Sequence, residues 1–78
     1  MKFREFWLPL SRLDREAFAK AVGSTVGYLM LVSSENATPG ESLAINIERE
    51  TEGKVPVEVT RPDVDWAVVR GTGSQAAA

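Results

Sequence analysis

The sequence predicts a small all-α domain of four helices, two of which form a helix-turn-helix, followed by a short C-terminal extension. Apolar residues recur at three- and four-residue steps, which is the helical period. Ser11 and Thr38 are typical helix N-cap residues, and each has an acidic residue three positions later. Gly23 can adopt the left-handed conformation that ends one helix before another begins. The 78 residues allow one core, which we assign to residues 1–70, with residues 71–78 as a disordered tail.

The first helix is predicted over residues 2–8, where Pro9 limits its length. Its apolar side consists of residues at three- and four-residue steps: Phe3, Phe6, Trp7 and Leu10. A second helix begins after Ser11, with Asp14 in the capping-box position, and runs to about residue 22. The residues expected on its buried side are Leu13, Phe18, Ala21 and Val22.

The third helix is expected to start after Ser24 or Thr25 and to run to about residue 33. Its core-facing residues are Val26, Leu29 and Val32. Ala19 lies on the second helix, and its small side chain would let the second and third helices cross closely. Base readout normally uses arginine, lysine, asparagine or glutamine on the outward face of this helix, and residues 24–34 contain none of them.

A fourth helix is predicted over residues 39–51, because Thr38 is a good N-cap, Pro39 suits the first helical position and Glu41 completes a capping box. It should bury Leu43, Ala44 and Ile47. In residues 55–59, valines alternate with Pro56 and Glu58, a pattern that fits either a short strand or one helical turn. The proline disfavours a central strand. A turn should follow at residues 61–63, with residue 66, a tryptophan, folding back onto the helices.

Composition and charge exclude several classes of function. Without cysteine or histidine the chain has no thiolate, no disulfide and no histidine base, so we expect neither an enzyme nor a metal or cofactor site. No signal-peptide pattern or membrane-length apolar run is present, which predicts a soluble intracellular protein. Residues 1–20 carry five basic and three acidic side chains, whereas residues 35–65 carry three basic and eight acidic ones. The net charge of −2 disfavours strong binding to the DNA polyanion.

Four segments of the chain resemble the Cro-related, YdaS-type regulators of phages and prophages. They are LDREAFAKAVGS from residue 13, TVGYL from residue 25, the P..S.A..IE..T.GKV pattern over residues 39–55, and RPDVDW over residues 61–66. The resemblance implies an all-helical helix-turn-helix fold and a role in transcription control, usually as a repressor that reads an operator through the third helix. Similar small phage proteins bind the host RNA polymerase and change initiation or termination without an operator.

The chain departs from that family pattern in the second half of its reading helix. Relatives tend to carry glutamine, arginine or lysine there, but this chain has apolar residues and serines followed by Glu35. We therefore predict a phage-type transcription regulator with a degenerate DNA-reading surface. It would act in the cytoplasm of the bacterial host by binding RNA polymerase, as a monomer or weak homodimer. The side chains predicted to contact the polymerase are Tyr28, Met30 and Leu31, with Arg4, Arg12 and Arg15 around them.

Two other functions fit the sequence. The first is an ordinary Cro-like repressor that binds DNA as a dimer. The residues that would then contact DNA are Ser24, Thr25, Tyr28 and Lys20. The second is an antitoxin-like module that neutralises a partner protein by direct contact.

Overall fold

Helices dominate the part of the chain that the structure, a computed structural model, describes: residues 1–71, which contain no strand. In chain order they are α1 (Phe3–Trp7), α2 (Arg12–Val22), α3 (Val26–Ser33), α4 (Glu41–Glu50), α5 (Val57–Thr60) and α6 (Trp66–Gly71). The predicted all-α class is confirmed, and the C-terminal extension adds α5 and α6. Residue 71 ends α6, and the rest of the predicted disordered tail lies outside the described residues. No helix within residues 1–71 is long and apolar enough to cross a membrane.

The helix-turn-helix segment forms as its local signals predict. The Ser11 hydroxyl accepts a hydrogen bond of 3.1 Å from the backbone N–H of Asp14 at the start of α2. Thr25, rather than its neighbour, caps α3 by accepting the N–H of Tyr28 at 3.1 Å. Gly23 ends α2 with φ of 78° and ψ of 32°, the left-handed region that a side chain disfavours. The result is two helices, α2 and α3, joined by a three-residue turn.

The predicted start of α4 is wrong by two residues. The helix begins at Glu41, and Gly40 occupies the N-cap position without a side-chain hydrogen bond. Thr38 caps nothing, because the extended segment before the helix is held by other elements. The carbonyl of Thr38 accepts the hydroxyl of Tyr28 at 3.1 Å, and the carbonyl of Pro39 accepts the guanidinium of Arg61 at 3.0 Å. These tertiary hydrogen bonds replace the local capping box.

One main core lies among α1, α2, α3 and α4. Its buried members are Phe3, Trp7, Ala19, Val22, Leu29, Val32, Ile47 and Val55. The Phe6 and Phe18 rings join it from the edge, 5.0 Å apart between centroids. Two predicted core residues are exposed instead: Leu13, at 74%, and Ala21. Both lie away from the buried face of α2, which packs against α3 and α4, because they are out of helical phase with buried residues 19 and 22.

A second, smaller cluster fastens the C-terminal extension to α4. Trp66 is buried against Ala44 and Val57, and its indole N–H donates to the carbonyl of Arg61 at 2.7 Å. The backbone N–H of Val57 donates to the carboxylate of Glu48 at 2.9 Å. The extension therefore packs as α5 and the start of α6. The predicted return of the tryptophan to the helices is confirmed.

Candidate protein-binding surface on the third helix

Helix α3 is apolar around its whole circumference, although only part of it is covered. Leu29 is fully buried and Val32 nearly so, as the spacing predicts. On the other faces Tyr28, Met30 and Leu31 remain 37%, 40% and 47% exposed. A helix that is apolar all round is normally buried, and clustered exposed apolar groups often mark a binding surface. We call these three residues the α3 patch.

Within the α3 patch, Leu31 and Tyr28 differ in what holds them. The Tyr28 hydroxyl donates to the carbonyl of Thr38, so its ring lies along the loop that leads to α4. The Leu31 side chain has no polar group and makes no such hydrogen bond. The hydrogen bonds of Leu31 to Ser34 and Asn36 involve only its backbone carbonyl. Leu31 is therefore the more available anchor for a partner.

Met30 connects the α3 patch to the first two helices. Its sulfur lies 2.9 Å from the indole nitrogen of Trp7, which donates to it, and 3.7 Å from a guanidinium nitrogen of Arg15. Trp7 is completely buried, and among the described residues the Met30 sulfur is the acceptor that satisfies its N–H. Part of Met30 thus has a structural role, and a partner would contact its exposed remainder.

The Arg15 side chain is also half-buried. Its guanidinium lies 5.2 Å from the centre of the Trp7 ring and donates to the carbonyl of Leu8 at 3.0 Å. Its Nε atom is buried and has no hydrogen-bond partner among the residues that the structure describes. The structure therefore brings Arg15 beside Met30, as the predicted site requires, and the hydrogen bond from Arg15 to Leu8 also joins α2 to the end of α1.

The other two predicted arginines lie in different surroundings. Arg12 is 90% exposed at its side chain and forms a 3.4 Å ion pair with Glu16, one turn along α2. Arg4 instead lines a cleft of about 610 Å³ whose walls include none of the α3 patch. The sequence pattern gave no sign of this cleft, because it depends on α1, the end of α3 and the α5 segment meeting in space.

The residues predicted for DNA contact form a weak site. Thr25 is engaged in capping α3, and Ser24 is half-buried in the turn. Lys20 is exposed in the last turn of α2 and is the one cation among the four predicted residues. One cation supplies little of the phosphate neutralisation on which DNA affinity depends. Within residues 1–71 no group of three or more acidic side chains is placed to hold a metal ion.

Comparisons of the chain with family models, with curated proteins and with solved structures found no match.

Proposed function

We propose that this protein is a phage-type transcription regulator that binds bacterial RNA polymerase in the cytoplasm of the host and alters initiation or termination. The observation that carries the proposal is the α3 patch. It occupies the outward side of the second helix of a helix-turn-helix, where a repressor would present its base-reading side chains. Residues 24–34 have no arginine, lysine, asparagine or glutamine, but they leave Leu31 47% exposed. The sequence resemblance to phage regulators supports transcription as the process.

Charge supports a protein partner over DNA. The net charge is −2, and α3 carries no charged side chain at either end. Of the arginines predicted around the α3 patch, Arg12 is the highly exposed one, and its guanidinium forms an ion pair with Glu16. Apolar anchors with scattered charges at the rim are the usual anatomy of a protein interface, whereas DNA contact needs several phosphate-binding cations.

The experiment compares two exposed aliphatic residues of equal size on different helices. Leu31 of α3 and Ile45 of α4 are exposed to nearly the same extent, 47% and 45%. Binding of the full chain to purified bacterial RNA polymerase is measured by biolayer interferometry for Leu31→Asp and for the matched control Ile45→Asp. We expect the first variant to weaken binding by about 1–3 kcal/mol, the range of interface hot spots, and the control to bind normally. A single-round transcription assay then reports the effect on initiation and termination.

Two results would overturn the proposal. One is equal polymerase binding by Leu31→Asp and the wild-type chain, or no binding by either, with helical circular dichroism unchanged. The other is a nanomolar, sequence-selective complex with duplex DNA at physiological salt that is lost in Lys20→Ala. That second result would assign the α2–α3 pair to an operator and make the protein a Cro-like repressor.

A further inference from the structure

A cleft of about 610 Å³ has no residue of the α3 patch in its walls, and the function proposed above does not use it. Three segments form its walls: the start of α1, the end of α3 with the loop after it, and the end of α5 with the following turn. Its apolar surface comes from Phe3, Val32, Ala37, Pro39, Val59 and Pro62. This volume lies in the range of ligand-binding clefts, roughly 300–1,000 Å³.

The polar groups of the walls are mostly engaged inside the protein. The Ser33 hydroxyl donates to the carbonyl of Met30 at 2.8 Å, and the Thr60 hydroxyl donates to the carbonyl of Val57 at 3.5 Å. The Thr38 carbonyl already accepts the Tyr28 hydroxyl. Recognition of a polar group in this cleft therefore falls to the charged side chains at its edge.

Those edge charges are Lys2 and Arg4 on the α1 side and Glu35 on the α3 side. Among the side chains of residues 1–68 neither cation forms an ion pair, and the pairs found there join other arginines to acidic residues. Two neighbouring unpaired cations favour a carboxylate at that edge, while Glu35 repels an anion that approaches the opposite edge.

We infer that the cleft binds a short peptide segment of a partner protein, in which one or two apolar side chains enter the cleft and a flanking carboxylate pairs with Lys2 and Arg4. Apolar walls suit aliphatic side chains, which a nucleic acid backbone cannot supply. Glu35 also disfavours a phosphate chain running across both edges. Because the walls include no residue of the α3 patch, this inference is independent of polymerase binding.

The test uses two synthetic hexapeptides and the ¹⁵N-labelled 78-residue chain. One peptide has two central leucines flanked by aspartates, and the other has the same leucines flanked by lysines. In heteronuclear NMR titrations we expect the acidic peptide to shift the amide signals of Phe3, Val32 and Ala37. The lysine-flanked peptide should bind at least about ten-fold more weakly, because it replaces attraction by repulsion at the α1 edge.

Matched variants separate the charged edge from the apolar wall. Arg4→Glu and Lys2→Glu should each weaken the acidic peptide about five-fold, corresponding to roughly 1 kcal/mol for an exposed pair. Arg49→Glu, an exposed arginine of α4 outside the cleft, is the control and should bind normally. Val59→Asp tests the apolar wall and should also weaken binding, whereas Leu31→Asp should leave it unchanged.

Several outcomes would overturn the inference: equal binding of both peptides, no shift with either, shifts centred on Leu31, or full affinity in Arg4→Glu. A 12-base-pair duplex is titrated in parallel. If the duplex shifts the cleft amides while the acidic peptide does not, the cleft belongs to a nucleic acid site. Loss of polymerase binding in Leu31→Asp with retained peptide binding would show that the two surfaces act separately.

Discussion

The guanidinium of Arg15 on α2 lies over the indole of Trp7 on α1, 5.2 Å from the ring centre. The same guanidinium donates to the Leu8 carbonyl at the end of α1, and a second nitrogen lies 3.7 Å from the sulfur of Met30 on α3. One side chain of α2 therefore contacts both α1 and α3. A cation over an aromatic face and a charge-assisted hydrogen bond both stabilise this arrangement.

Arg15→Ala should lower the free energy of unfolding by about 1–2 kcal/mol, since it removes the cation–π contact and the hydrogen bond to Leu8. Arg12→Ala is the matched control on the same helix. It removes only an exposed ion pair, so its effect should stay below about 0.5 kcal/mol. Urea unfolding followed by circular dichroism measures both. Equal midpoints for the two variants would show that the Trp7 contact adds no stability.

The role of Arg15 illustrates what sequence reasoning reached and what it did not. The spacing of apolar residues identified α2 and α3, and it correctly left Tyr28 and Leu31 outside the core. Caps such as Ser11 to Asp14 involve residues three positions apart, so the local sequence is enough to predict them. The contact of Arg15 with Trp7 depends on how α1 folds back over α2, which no local pattern specifies.

The same distinction explains the error at α4. Thr38 and Pro39 have strong local preferences for a helix start, but their carbonyls are hydrogen-bonded by Tyr28 and Arg61, which are 10 and 22 residues away. Those contacts hold the segment extended until Glu41. The cleft beside Arg4 was unpredicted for a similar reason, because three separate segments form its walls.

Two leucines of α3 should differ sharply in their contribution to stability. Leu29 is completely buried, so Leu29→Ala should cost about 2–5 kcal/mol through lost burial and the cavity left behind. Leu31 is 47% exposed, and Leu31→Ala should cost less than about 1 kcal/mol. Urea midpoints give the comparison. Similar losses for both would mean that Leu31 belongs to the core and could not serve as an exposed anchor for polymerase.

Two glycines, one at the C-cap of α2 and one in the first turn of α3, should respond to alanine in opposite directions. Gly23 has a φ of 78°, so Gly23→Ala should cost about 1–2 kcal/mol from backbone conformation alone. No neighbouring atom of the described residues lies within 4 Å of the added Cβ, so steric contact adds nothing. A β-branched valine would resist this conformation more strongly.

Gly27 lies in the first turn of α3, where an added Cβ also meets no atom within 4 Å. Gly27→Ala should therefore stabilise the protein by about 0.5–1 kcal/mol, because alanine restricts the unfolded chain and favours the helix. Thermal unfolding of both variants measures the contrast. A stabilising Gly23→Ala would refute the left-handed turn between α2 and α3.

Stability should fall in acid partly because of Asp63. Both of its carboxylate oxygens accept hydrogen bonds from Arg61 at 2.9 Å. This hydrogen bonding lowers the pKa of Asp63 below its ordinary value of 3.8. The unfolded chain then binds a proton more readily than the folded one. The stabilisation is therefore complete above about pH 5 and is lost as the pH falls through 3.8 towards the lower, folded pKa.

Asp63→Asn should thus be less stable than the wild-type chain at pH 7, and the difference should shrink as the pH is lowered below 4. Urea midpoints measured from pH 7 to pH 2.5 give this comparison. Arg61→Gln removes the partner of the carboxylate, so Asp63 should regain an ordinary pKa and the variant should show a weaker acid dependence than the wild-type chain. A wild-type advantage over Asp63→Asn that stays constant down to pH 2.5 would show that the Arg61 ion pair does not depress the pKa of Asp63.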